Sequence, residues 1–70
     1  METKIQRAII KLLKENKKGL SIAEIYRATK FMRITITVNL LKLELQNLIS
    51  HKVFGQTKVY YLSQENLQNV

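Results

Sequence analysis

The sequence predicts a small, mainly α domain, three helices closed by a short two-stranded β-hairpin. Three observations lead there. Apolar residues recur at helical spacing in three successive segments, and the stretch after His51 turns β-branched and aromatic. The chain has no Pro, so Gly19 and Gly55 are its main punctuation.

The first helix is expected over residues 4–16. Thr3 and Gln6 stand in capping-box spacing, and Ile5, Ala8, Ile9, Leu12 and Leu13 recur at helical spacing, with Ile10 on the stripe's edge. Lys17 and Lys18 suit the negative end of the helix dipole, and Gly19 can take the left-handed conformation that ends a helix. A second helix follows Ser21, whose S-x-x-E pairing with Glu24 is another capping box, with Leu20 and Ile25 as its hydrophobic staple. Ile22, Ile25, Tyr26 and Ala28 form its apolar face, and the pattern breaks at Lys30-Phe31-Met32.

The third helix is read over residues 33–50. Its first half, Arg33-Ile34-Thr35-Ile36-Thr37-Val38, alternates like a strand, but Ile36, Leu40 and Leu43 carry one helical stripe through both halves. Lys52-Val53-Phe54 and residues 58–62 then read as strands around a Gly55-Gln56-Thr57 loop. Residues 63–70 add a helical turn capped by Ser63 or fray.

Seventy residues allow one domain, residues 1–70, and 12 Lys and Arg against 5 acids give a net charge of +7. Without Cys there is no disulfide framework, iron–sulfur cluster or Cys-based zinc site, and one His with five scattered acids leads us to expect no metal and no cofactor. No apolar run exceeds four residues, against about 20 for a membrane span. The start of the chain lacks a signal-peptide core, so a cytoplasmic protein is expected. The excess positive charge calls for an acidic partner, most simply nucleic acid. A core of this size supplies roughly 3–5 kcal/mol, which favours oligomerisation.

The order helix, helix, three-residue turn, helix, hairpin resembles the winged helix-turn-helix domain of small bacterial and archaeal transcriptional regulators, virus- and plasmid-encoded ones included. The matching residues are Leu20-Ser21-Ile22-Ala23-Glu24-Ile25 before the turn, Leu40, Leu43, Leu48 and Ile49 after it, and Tyr60 and Leu62 on the last strand. With the first helix, the resemblance covers most of the chain. It departs at Lys30, where the pattern usually has Gly, and at Met32, where it usually has a capping Ser. The wing is short, with only His51, Lys52 and Lys58 as basic residues. These positions are mostly core, so they speak for fold before function.

The resemblance makes helix 3 the recognition helix and places Arg27, Lys30 and Arg33 near a DNA backbone, with Thr35, Thr37 and Lys42 flanking them and Lys52 and Lys58 on the wing. An ordinary solvated, charged turn is the plainer alternative. At about 100° per residue, Ile34, Val38, Leu41 and Leu45 form a second apolar stripe opposite Ile36, Leu40 and Leu43. Either Ile34 and Val38 meet thymine methyls in the major groove, or the whole stripe packs on a second subunit or another protein. In a divided arrangement, Leu41 and Leu45 join Tyr61 in a dimer interface. On helix 1, Lys4, Arg7, Lys11, Lys14 and Lys18 make a basic stripe that also reads as the solvated face opposite Ile5, Ile9 and Leu12.

Tyr60 is expected in the core with Leu62, while Val59 and Tyr61 face outward. A stacking platform for single-stranded bases would need several exposed rings, and only one or two are on offer. His51 has no Asp, Cys or Glu beside it in sequence and reads as a surface or phosphate-side residue. No nucleophile–base pair, phosphate loop or metal spacing suggests an enzyme, and no small-molecule ligand is inferred. The sequence thus points to a sequence-specific double-stranded DNA-binding regulator, a homodimer repressing by occlusion. Its rival is a winged-helix protein-interaction module that uses the second stripe of helix 3.

Overall fold

The structure, a computed structural model, describes residues 3–63. Of the turn or frayed tail expected over residues 63–70, Ser63 donates its N–H to the Leu48 carbonyl at 3.0 Å, and residues 64–70 lie outside the described residues.

Both capping boxes form. In α1 (Lys4–Glu15), the Gln6 N–H donates to Thr3 Oγ1 at 3.1 Å and the Thr3 N–H donates to Gln6 Oε1 at 3.2 Å. In α2 (Ile22–Thr29), the Glu24 N–H donates to Ser21 Oγ at 3.2 Å and the Ser21 N–H to Glu24 Oε1 at 2.8 Å. Each box satisfies backbone donors that the first helical turn leaves orphaned.

Gly19 has a different role from the one expected. Helix α1 has already ended at Glu15, and its Leu12 carbonyl accepts a 2.9 Å hydrogen bond from Asn16 Nδ2. Gly19, at φ +100°, lies so close to the last strand that a Cβ would stand 2.7 Å from Val59 Cγ1 and 2.8 Å from the Tyr60 carbonyl oxygen. That approach lets Leu20–Ser21 pair as β1, a strand too short to leave any alternation in the sequence.

Helix α3 (Arg33–Leu45) includes the strand-like segment, because burial of Ile36, Leu40 and Leu43 outweighs local β preference. It stops five residues before the expected Ser50. Asn47 takes the left-handed conformation at φ +62°. Its N–H donates to the Glu44 carbonyl at 2.9 Å, and the Leu48 N–H donates to the Leu43 carbonyl at 3.1 Å. This is a Schellman cap with Asn in the usual glycine position. Leu48 packs against the core from beyond the helix end, and Ile49 opens a strand.

Strands β2 (Ile49–Phe54) and β3 (Thr57–Leu62) are longer than expected and joined by the two-residue loop Gly55-Gln56 rather than by three residues. Gly55 sits at φ +62°, as the first position of a tight hairpin turn of this kind requires. Instead of a two-stranded hairpin alone, the sheet has three antiparallel strands in the order β1-β3-β2. The core lies between this sheet and the helices, with Ile9 and Leu13 of α1, Ile25 of α2 and Tyr60 of β3 meeting the buried stripe of α3. On α2 the apolar face is narrower than expected: Ile25 is buried, but Tyr26 and Ala28 are exposed.

Candidate nucleic-acid interface

The three-residue connection between α2 and α3 sets the exposed start of α3. Lys30 takes the left-handed conformation at φ +64°, the geometry for which the resembled pattern uses Gly, and its N–H donates to the Tyr26 carbonyl at 2.7 Å. Thr29 Oγ1 donates to the Ile25 carbonyl at 2.8 Å and accepts the Phe31 N–H at 3.2 Å. Phe31 packs half-buried against the core, so the turn is anchored from inside. Met32 caps α3 without a side-chain hydrogen bond.

Arg27, Lys30 and Arg33 are all exposed around this turn. The Arg33 guanidinium lies 5.6 Å from the Tyr26 ring centroid, a cation–π contact that orients it without neutralising it. Among the described residues no Lys or Arg forms an ion pair; the one pair joins His51 to Glu44. Thr37 is exposed one turn from Arg33 on the same side of α3, and Lys42 is exposed nine residues on, across the Ile34–Val38 stripe. Thr35 is half-buried, its carbonyl accepting Asn39 Nδ2 at 2.7 Å.

The second stripe is open to solvent. Ile34 is 63% exposed, Val38 41%, Leu41 57% and Leu45 76%, while Ile36, Leu40 and Leu43 are fully buried on the opposite side. Tyr61 does not join Leu41 and Leu45. It is half-buried on the sheet face turned away from Tyr60, and therefore away from the helices.

Register also separates the two wing lysines. Lys52 pairs with Val59 and Lys58 with Val53, which puts the two lysines on opposite faces of the hairpin. Lys58 shares the Tyr60 face, toward the helices. Lys52 lies on the outer face, its ammonium 5.6 Å from the Tyr61 ring centroid.

Sequence neighbours concealed the partner of His51. The reversal at Asn47 brings Glu44 of α3 beside it, with His51 Nδ1 and Glu44 Oε2 2.5 Å apart. The His51 ring also lies 5.3 Å from that of Tyr60. Burial, and then the nearby Glu44 charge, raise the Tyr60 phenol above its ordinary pKa. The Asn at position 47 was the available signal, a left-handed stop that turns the chain back on itself.

Among the described residues no group of three His, Cys, Asp or Glu side chains is placed to hold a metal ion. None of the described helices is long and apolar enough to cross a membrane.

No protein-family profile matches the chain, and no curated protein matches it in sequence. Among solved structures, the chain is similar to a glycine-to-lysine mutant of MepR from S. aureus, with a TM-score of 0.84 and 24% identity. The match covers 96% of this chain and 52% of the MepR chain, so this chain spans about half the length of the protein it matches. The fold is a winged helix. Within that fold, α2 and α3 form the helix-turn-helix, and β2 with β3 forms the wing.

Proposed function

We propose that the protein binds double-stranded DNA as a transcriptional regulator, presenting the start of α3 to the major groove. The observation that carries this reading is the exposed, unpaired cluster of Arg27, Lys30 and Arg33 at the helix-turn-helix of a winged helix. These side chains neutralise phosphates and set the register of docking, with Lys42 and Lys58 extending the same electrostatic footprint. Ile34 and Val38 supply apolar contacts to thymine methyls, flanked by Thr35 and Thr37. In this reading Leu41 and Leu45 pair two copies, and occupancy of the DNA represses by occlusion. Lys52 and Tyr61, on the outer face of the sheet, are left out of both the duplex footprint and the α3 interface.

The exposed stripe favours a second reading. Four large apolar residues in one row also suit a partner protein, which would make the domain an interaction module. Binding to labelled duplexes of varied sequence separates the two. Arg27→Ala, Lys30→Ala and Arg33→Ala each weaken duplex binding in the proposed function while leaving the circular dichroism spectrum unchanged. Wild-type affinity in all three variants, or no duplex binding at low salt, overturns it in favour of the interaction module.

A further inference from the structure

The outer face of the sheet is not used by the proposed duplex contact. Strand alternation places Lys52, Phe54, Val59 and Tyr61 there together. Lys17 and Lys18 reach the same place from the segment after α1, which Gly19 holds tight against Val59 and the Tyr60 backbone. These six side chains line one cleft of about 270 Å³. That is close to the lower limit of roughly 300 Å³ for small-ligand clefts, room for one flat ring and the phosphate beside it.

The lining is chemically one-sided. Three lysines line the cleft with no carboxylate among them, and none of the three is ion-paired among the described residues. Two aromatic rings and a valine supply the rest of the surface, and Phe54 is 61% exposed, leaving most of its ring open to a ligand. An anion relieves the repulsion among the lysines, while the rings call for a flat partner. A nucleotide unit answers both demands. A duplex keeps its base faces inside the stack, whereas a single strand can lay an unstacked base on an aromatic ring.

We propose that this cleft, too small for an extended stacking platform, binds one nucleotide unit of single-stranded nucleic acid, with a base stacked on exposed Phe54 beside Tyr61 and Lys17, Lys18 and Lys52 neutralising the strand's phosphates. The site stands apart from the α3 surface and does not depend on the duplex-binding reading. Register is what reveals it: Phe54 and Tyr61 lie on different strands, seven residues apart, and share a face only once β2 and β3 are paired.

The test is fluorescence anisotropy with a labelled oligothymidylate of about ten nucleotides, within the range of known single-strand sites. Quenching of tyrosine emission is a second readout, since the chain has three Tyr and no Trp. Phe54→Ala, and separately the pair Lys17→Ala and Lys18→Ala, should each weaken binding about tenfold, the loss expected of one stacked base or a few phosphate contacts. Arg33→Ala should leave oligothymidylate affinity unchanged, and Phe54→Ala should leave duplex affinity unchanged. No binding of the single strand overturns the proposal. So does a loss confined to the lysine pair, which would mean charge attraction without stacking. Adenosine monophosphate displacing the strand at equal affinity overturns it too, assigning the cleft to a free nucleotide.

Discussion

Helices α1 and α3 contribute to the same core but treat their outer faces in opposite ways. On α1 the buried residues Ile9 and Leu13 are backed by exposed Lys4, Arg7, Lys11 and Lys14, the ordinary arrangement for a helix with one side in water. On α3 the buried Ile36, Leu40 and Leu43 are backed by exposed Ile34, Val38, Leu41 and Leu45. Folding requires only one apolar stripe per surface helix. The second stripe of α3 has no role in the core, and in the proposed function it belongs to what the protein binds.

The largest expected effect lies on the buried side. Leu40→Ala or Leu43→Ala should cost about 2–5 kcal/mol, from lost burial and the cavity left behind. Against a total stability of roughly 3–5 kcal/mol for a core of this size, either change should leave much of the chain unfolded in urea titrations. Leu45→Ala in the same helix should cost far less in a monomer. Equal losses at Leu40 and Leu45 would erase the distinction between the two stripes.

The next effect concerns assembly. If Leu41 and Leu45 pair two copies, the melting temperature should rise with protein concentration, and Leu45→Lys should yield monomers whose lower melting temperature is independent of concentration. Sedimentation equilibrium on the two proteins reads this directly. A monomeric wild type at high micromolar concentration, as stable as Leu45→Lys, would leave the stripe to DNA or to another protein.

A smaller effect has opposite signs on stability and binding. Lys30 sits at φ +64°, where any residue with a Cβ is strained. Lys30→Gly should raise stability by about 0.5–1 kcal/mol, net of the added freedom of the unfolded chain. The same change removes a cation from the proposed footprint, so duplex affinity should fall several-fold. A variant that is less stable, or that binds duplex as tightly as wild type, would show that Lys30 has a different role.

Much of the fold was legible because local chemistry announces it. Thr3 with Gln6 and Ser21 with Glu24 mark the starts of α1 and α2, and the spacing of Ile36, Leu40 and Leu43 marks α3 despite its β-branched first turn. What escaped was tertiary. The end of α3 depends on Asn47 adopting a left-handed conformation that few residues other than Gly favour. The strand β1 exists only because Gly19 permits its approach to β3. For the candidate surface, the helical wheel was enough to find the exposed stripe, since it depends on one helix alone. The division of Lys52 from Lys58 and the Glu44 partner of His51 both required the register of β2, which no local pattern supplies.

Salt dependence of duplex binding tests the central claim most directly. Arg27, Lys30, Arg33, Lys42 and Lys58 make five cations in the proposed footprint. If each neutralises one phosphate, the logarithm of the association constant should fall against the logarithm of salt concentration with a slope of about −4.5. Removing Arg33 should make the slope shallower by about one, while removing Lys11 from the outer face of α1 should leave it unchanged. A wild-type slope near zero, or a slope that responds to Lys11 and not to Arg33, would contradict the assignment of the α3 surface to DNA.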